Sequence, residues 1–442
     1  MLGKVVAFIR RFTASPTYRK YFTNVFWLTA EKVFSLFISM VVGIYVARYL
    51  QPEQYGMLNY AISFVGILSA FSSLGINRIV VRELALAPQR RDEIMGTSFI
   101  LKFVGSIVLF LVMSVILIFM GNTPLTNTLI VIIAAAEIFK AMDVVDSFYQ
   151  SKVLSKYVAR VQITVNLVGN LLKIALIFLQ LPLIWFAGVT ALNSLFNGVG
   201  YLYTYWRLDG NPMKWHFNKK LAFSFLRESW PITLQGLALQ TQAKIDQVML
   251  GKMISNYEVG QYSVAMRMIE IFTFIPTILV GTFAPAVTKA RAISQSLYFD
   301  RIINFYRLMF VLFLAVSIPI FFLGEQLIVL LYGVEYQAAG FLLSLFSIRL
   351  LFANIGSGKG LYVVNESLFK NSLLNAVVGA ITNIVVNYFL IPIYGSIGAL
   401  IATVISFTVN VFVVDSFFAK TRVNQRLIFK GIFTFWRLNK IN

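Results

Sequence analysis

Apolar runs of about twenty residues, the length a helix needs to cross the ~30 Å hydrocarbon core of a bilayer, recur from one end of this chain to the other. Twelve can be delimited, at 24–48, 55–76, 95–120, 127–149, 157–180, 183–206, 225–251, 259–286, 302–323, 338–362, 368–391 and 397–419. In hydrocarbon every peptide group must find its hydrogen bond inside the protein, which leaves helices and closed barrels as the only spanning structures. Barrel strands read as alternating segments of ~10 residues, and this chain has none. The expected fold is therefore an all-α integral membrane protein. Composition agrees: 13% of the 442 residues are charged, against about 25% in soluble domains. No soluble domain fits between the runs.

Lysine and arginine set the expected orientation. The segments 1–20, 78–91, 150–160, 207–220, 289–307, 365–371 and 420–442 hold 27 of them. The alternate connections 49–54, 121–126, 181–182, 324–337 and 392–396 hold none, and 252–258 holds only Lys252. Positive charge collects on the cytoplasmic side, so both termini are expected there. This also accounts for the +20 net charge without nucleic acid as a partner. The opening "MLGKVVAFIRRFTASPTYRKYF" reads as a basic tail, not as a cleavable signal.

Several chemistries are excluded early. The chain has no cysteine and one histidine, His216 in a polar loop, so thiol chemistry, a catalytic triad and a histidine metal site find no support. Gly356-Ser357-Gly358-Lys359-Gly360 looks like a phosphate-binding loop at first sight. That motif needs a glycine five residues before the second one and a hydroxyl after the lysine. Ala353 and Gly360 stand there instead. Lys359 is better read as a cation at the cytoplasmic end of a spanning helix.

A weak internal repeat aligns "RYLQPEQYGMLNYA" (48–61) with "KMISNYEVGQYSVA" (252–265) at an offset of 204, pairing Gly56 with Gly260 and Ala61 with Ala265. Two six-span halves in one orientation is an architecture of transporters, with the site at the interface of the halves. The expected domains are 1–206, a six-helix bundle with its basic tail; 207–419, a second bundle; and 420–442, a basic aromatic tail.

"VARYLQPEQYGMLNYAISF" (46–64), "LLYGVEYQAAGFLL" (330–343) and "LIPIYGSIGALIATVIS" (390–406) resemble the polysaccharide-biosynthesis flippases of the O-antigen and capsule repeat-unit family. "LGINRIVVRELA" (74–85) and "FAPAVTKA" (283–290) fit as well. That family belongs to the multidrug/oligosaccharidyl-lipid/polysaccharide exporter superfamily. The resemblance implies two six-helix bundles around a central cavity, alternating access, and an undecaprenyl-pyrophosphate-linked oligosaccharide as cargo. It implies membrane lipid, a polysaccharide polymerase and chain-length proteins as partners, and the bacterial inner membrane as location. No cofactor is expected beyond coupling to H+ or Na+, and no covalent chemistry. A multidrug or cation antiporter of the same fold is the alternative.

Charges inside spans are costly and tend to face a partner or a pathway. The basic set is Lys32, Lys102, Lys140, Lys173, Lys244, Arg267, Arg349 and Lys359. Lys102 and Lys359 are expected towards the cytoplasm, Arg349 near the middle, and Lys173, Lys244 and Arg267 towards the outside. Such a ladder suits an anionic headgroup, which hydrocarbon does not accept unpaired. Glu137, Lys140, Asp143 and Asp146 step by three, so neighbours can neutralise one another, as can Arg267 and Glu270. Glu31 and Asp246, on the first and seventh spans, are the coupling candidates. Asn166, Asn170 and Lys173, and Asn383 with Asn387, share helix faces, where amides can read sugar hydroxyls or bond between helices. The stretch 426–440 reads as an interfacial helix on anionic lipid.

Overall fold

The computed structural model describes residues 16–437, all of them in helices or short connections. Lys4, Arg10 and Arg11 of the basic N-terminal tail and Lys440 near the other end lie outside the described residues. The α-helices are α1 (Pro16–Ser73), α2 (Asn77–Leu86), α3 (Arg91–Met120), α4 (Pro124–Ala136), α5 (Val144–Ser151), α6 (Lys156–Phe178), α7 (Leu183–Leu208) and α8 (Lys219–Met253). There follow α9 (Asn256–Phe272), α10 (Phe274–Ile293), α11 (Gln295–Tyr332), α12 (Gln337–Phe346), α13 (Arg349–Glu366), α14 (Phe369–Thr408) and α15 (Ala419–Ile432).

The two longest elements are each two passages joined at a break. In α1 the break is Gln51, at φ 59° and ψ 165°, just before Pro52. In α14 it is Gly395, at φ 54°, three residues after Pro392. A proline removes a helical donor, and a left-handed residue turns the chain. Among the described residues seven helices are long and apolar enough to cross a membrane, eight if the bent pair α12–α13 is one span. The two broken helices count among the seven. Pro124–Ser151 and α8 carry more charge and complete the twelve passages expected. The protein is a multi-pass, all-helical membrane protein. Large apolar side chains that water would disfavour, such as Ile118, Phe119 and Phe178, stand well exposed on these helices; lipid is their natural solvent.

Helix starts follow from local chemistry. Thr123 caps α4, its hydroxyl accepting from the Thr126 amide at 3.3 Å, with Pro124 in the first turn. Ser255 caps α9 through the Glu258 amide at 3.2 Å. The fourth passage departs from one even helix: Glu137–Asp143 tightens to a 3-10 turn between α4 and α5. A wide π turn at Val409–Val413 and a 3-10 turn at Val414–Phe417 follow α14. Hydropathy carries no sign of these irregularities.

The helices form two compact units. One takes the described chain up to Val46 together with Leu68–Gly236; the other takes Ala47–Ile67 and the chain from Leu237 on. In the first unit, Val80 of α2, Met95 of α3, Phe148 and Tyr149 of α5, Tyr205 of α7 and Phe225 of α8 form one apolar core. In the second, Tyr298, Ile302 and Tyr306 of α11 pack with Tyr362 of α13 and Ile428 of α15. The expected interfacial helix thus begins earlier, at Ala419, and its Leu427–Ile428 face is buried in protein. Tyr306 secures it by donating to Asn424 at 2.8 Å. Phe429, Phe433 and Trp436 remain exposed.

Segment Ala47–Ile67 is held in the second unit at very close range. Arg48 donates to the Leu331 and Leu330 carbonyls at 2.7 Å each, and the Tyr336 hydroxyl to the Ala47 carbonyl at 2.9 Å. A Cβ on Gly56 would stand 1.7 Å from the Asn256 carbonyl oxygen, and one on Gly260 would stand 2.0 Å from the Pro52 carbonyl oxygen. Pro52 and Asn256, like Gly56 and Gly260, are related by the same 204-residue offset. The contact is reciprocal, as between two copies of one surface.

Candidate functional site

The second unit is organised around a carboxylate. Asp246, on α8, is 1% exposed. It accepts from the Tyr262 hydroxyl of α9 at 2.5 Å, from Nδ2 of Asn387 at 2.7 Å and from the Thr403 hydroxyl at 2.6 Å. The last two come from α14, one on each side of Gly395. Among the described residues no cation pairs with Asp246. The polar stripe continues along the helices. Gln242, one turn before Asp246, donates to the Ser406 hydroxyl at 2.5 Å, and Ser406 to the Gly379 carbonyl at 2.8 Å. Asn383, one turn before Asn387, is buried with neither side-chain polar atom bonded, and the Asn387 amide oxygen is also unbonded. Buried amides normally find partners; Asn387 stands beside Asp246, and Asn383 lies one turn before Asn387 on the same helix.

Arg349 opens α13 immediately after the 45° bend from α12. Its guanidinium lies over two rings, with Cζ 5.5 Å from the Phe346 centroid and 5.6 Å from that of Phe407, and one of its nitrogens meets the Met266 sulfur. No carboxylate is within ion-pair distance among the described residues. Rings and a thioether can hold a guanidinium in place but supply no compensating charge.

Lys359 is placed otherwise than expected. Its helix runs on to Glu366, so it is no terminal residue. The glycine-rich run is helical, which removes any loop for phosphates. Its ammonium is buried, 3.0 Å from an Asp415 oxygen, and donates to the Asn410 carbonyl at 2.9 Å. Asn375 donates to the other Asp415 oxygen at 2.8 Å. Of the remaining cations in this unit, Arg267 is hydrogen-bonded to Tyr55 and within electrostatic reach of Tyr332. Lys244 is half-buried on α8, its Cγ 3.8 Å from where a Gly66 Cβ would stand.

The first unit gathers full charges. Glu137 is buried, ion-paired to Lys140 at 2.5 Å and hydrogen-bonded by Ser72 at 2.9 Å. Lys102 of α3 is 2% exposed and within electrostatic reach of Asp143 and Asp146. Glu31 of α1 accepts from Ser35 at 2.9 Å, and Asn166 of α6 donates on to Ser35 at 3.0 Å. Asn170 turns back to the Asn166 carbonyl at 2.8 Å. Lys173, on the same face, is half-buried, and Lys32 is exposed. The eight expected cations are thus dispersed through the two units. They include one ion pair at Lys140, one at Lys359, and one guanidinium at Arg349 with no acid.

The model of the family described as polysaccharide biosynthesis protein matches residues 22–291. The chain belongs to that family. The capsular polysaccharide biosynthesis protein CapF of Staphylococcus aureus is 20% identical over 395 residues, covering 87% of this chain and 95% of CapF. The probable flippase AglR of Haloferax volcanii is 27% identical over 194 residues, covering 42% of this chain and 40% of AglR. Among solved structures, the lipid II flippase MurJ in an inward closed conformation superposes with a TM-score of 0.67 at 14% identity, covering 94% of this chain and 92% of MurJ. An inward-facing multidrug resistance transporter of the MATE family, in the MOP superfamily, gives 0.63 at 15% identity, covering 95% of this chain and 99% of that one. At such identities the structures show a shared fold.

In this polysaccharide biosynthesis protein three residues of the site escaped the sequence reading. Asp415 carried a usable signal, an acid inside the twelfth apolar run and so in need of a buried partner. Tyr262 and Thr403 carried none, since phenols and hydroxyls are common in spanning helices and only the fold brings them to Asp246.

Proposed function

We propose that this protein is a flippase. It moves undecaprenyl-pyrophosphate-linked oligosaccharide repeat units, of O-antigen or capsule type, from the cytoplasmic to the outer leaflet by alternating access. Its termini face the cytoplasm, and it makes and breaks no covalent bond. The observation that carries this reading is Arg349. A cation midway along a spanning passage costs at least ~2.5 kcal/mol on insertion scales, and among the described residues none of the ion pairs gives Arg349 an acid. A pyrophosphate supplies the missing charge in the bidentate geometry that a guanidinium fits. The names of the relatives, a capsular polysaccharide biosynthesis protein and a probable flippase, support the same cargo class. A drug-cation antiporter would gain nothing from such a residue.

Asp246 is the coupling site for H+ or Na+. A carboxylate held by three neutral donors keeps its charge available, and the unbonded oxygens of Asn383 and Asn387 suit a hard cation. Glu31, bonded only by Ser35 among the described residues, is the second candidate.

The test is repeat-unit delivery to the outer surface in cells lacking the native gene, normalised to protein level. Arg349→Ala should lose at least about tenfold, the factor that 1.4 kcal/mol represents, with Arg349→Lys intermediate. Full delivery by Arg349→Ala removes the reading. Orientation is checked separately on the cysteine-free background. Cysteine at exposed Val334 should react with impermeant thiol reagents in intact cells, and cysteine at exposed Met213 should not.

A further inference from the structure

Asp246 and Arg349 form no direct bond, yet two helices hold both. On α9, Tyr262 donates to Asp246, and Met266, one turn on, meets the Arg349 guanidinium through sulfur. On α14 after its break, Thr403 donates to Asp246, and Phe407, one turn on, lies beneath the same guanidinium. A cross-link joins the two ends: the Tyr262 ring meets the Phe346 ring edge-on, with centroids 5.0 Å apart and planes at 82°. Phe346 is the second ring under Arg349. Phe346 and Arg349 also flank the 45° bend between α12 and α13, so the guanidinium stands at a joint of the fold.

We propose that Asp246 and Arg349 are the two ends of one device. Tyr262 and Thr403 are positioning residues that tie the charge carried at Asp246 to the reach of Arg349. The proposal rests on the reading of Arg349 as the headgroup contact and deepens it. Residues four apart on a helix are neighbours on one face and move together. A displacement of Tyr262 or Thr403 is therefore passed to Met266 or Phe407. The sign follows from charge. An uncompensated Asp246 attracts the guanidinium through a medium of low dielectric and holds it back against its rings. A cation bound at Asp246 cancels that attraction, and Arg349 is then free to extend to a phosphate. Cation binding and pyrophosphate binding strengthen each other, by the same factor in both directions.

The experiment uses the full chain in lipid nanodiscs and measures binding of undecaprenyl pyrophosphate, a probe without sugar, with and without sodium. Asp246→Asn serves as a permanently neutral reference. Sodium, or Asp246→Asn, should raise affinity about tenfold over the sodium-free wild type, within the usual range of coupling between sites. Tyr262→Phe and Thr403→Val keep shape and remove the hydroxyl. They are tested separately, so that poor folding of one leaves the other informative. In each, the ratio of affinities with and without sodium should fall below about twofold. A merely structural role would weaken binding in both conditions alike and leave that ratio intact. An unchanged ratio in both variants overturns the assignment of Tyr262 and Thr403. Binding that needs Arg349 but ignores sodium and Asp246→Asn overturns the device while leaving the headgroup contact standing. Binding unaffected by Arg349→Ala overturns the headgroup contact itself.

Discussion

The two units solve the problem of buried polarity in opposite ways. The first pools full charges of both signs: Glu137 with Lys140, and Lys102 within reach of Asp143 and Asp146. The Glu137–Lys140 pair is lopsided, since the Lys140 side chain is 45% exposed while that of Glu137 is 7% exposed. In the second unit the polar stripe around Asp246 is mostly neutral: amides, hydroxyls and a phenol surround the acid, Arg349 rests on rings, and the Lys359–Asp415 ion pair is buried at both ends. The first unit sets opposite charges beside one another, and the second sets one acid among neutral donors.

The strongest way to break that contrast is to cut the buried pair. Lys359→Met leaves Asp415 buried without its cation and should cost about 3–5 kcal/mol. That would be read as a large drop in thermal unfolding temperature of the detergent-solubilised protein. Adding Asp415→Leu should recover most of the loss, because replacing both members of a buried pair with apolar groups is far milder than removing one. A small effect of Lys359→Met would mean that water reaches the pair and the second unit is wetter than its burial indicates.

Asn383→Leu sharpens the contrast with an effect of the opposite sign. It removes two buried polar atoms that have no partner, and such atoms cost roughly 1–3 kcal/mol each to bury unbonded. The variant should unfold at a higher temperature than wild type and, on the proposal that a cation binds at Asp246, should lose the cation dependence of repeat-unit delivery, measured with sodium. Lower stability would show that Asn383 has a structural partner. Higher stability with full sodium dependence would remove it from the coupling site. The smallest effect belongs to the first unit. Lys140→Met leaves Glu137 its Ser72 bond and removes a lysine whose own side chain is 45% exposed, and should cost about 1 kcal/mol, less than loss of the buried Lys359. A loss as large as that of Lys359→Met would erase the distinction between the two ion pairs.

How much of this was legible in the sequence depended on the scale of the signal. The spanning helices are written in runs of some twenty apolar residues, and no local accident hides them. The Glu137–Lys140 pair is visible because i, i+3 spacing makes helix neighbours whatever the tertiary fold. Lys359 was misread as a helix end because its partner, Asp415, lies two passages away, and no spacing rule connects them. The same holds for Tyr262 and Thr403. The breaks within passages are only partly legible. Pro52 and Pro392 announce two of them, whereas the bend before Arg349 has no proline or glycine to mark it. Unit membership was the least legible. Ala47–Ile67 lies in the first half of the sequence but packs with the second unit, through bonds such as Arg48 to the Leu331 carbonyl.

The reciprocal approach of Gly56 to Asn256 and of Gly260 to Pro52 has the form of a local two-fold axis. Two-fold symmetry between identical chains makes residue i touch j while j touches i. Here the same pattern holds within one chain at a fixed offset of 204 residues, so two stretches of one sequence meet as symmetry-related copies would. Each glycine now guards the other's carbonyl partner. Most other aligned positions of 48–61 and 252–265 differ, yet these two hold the same small side chain.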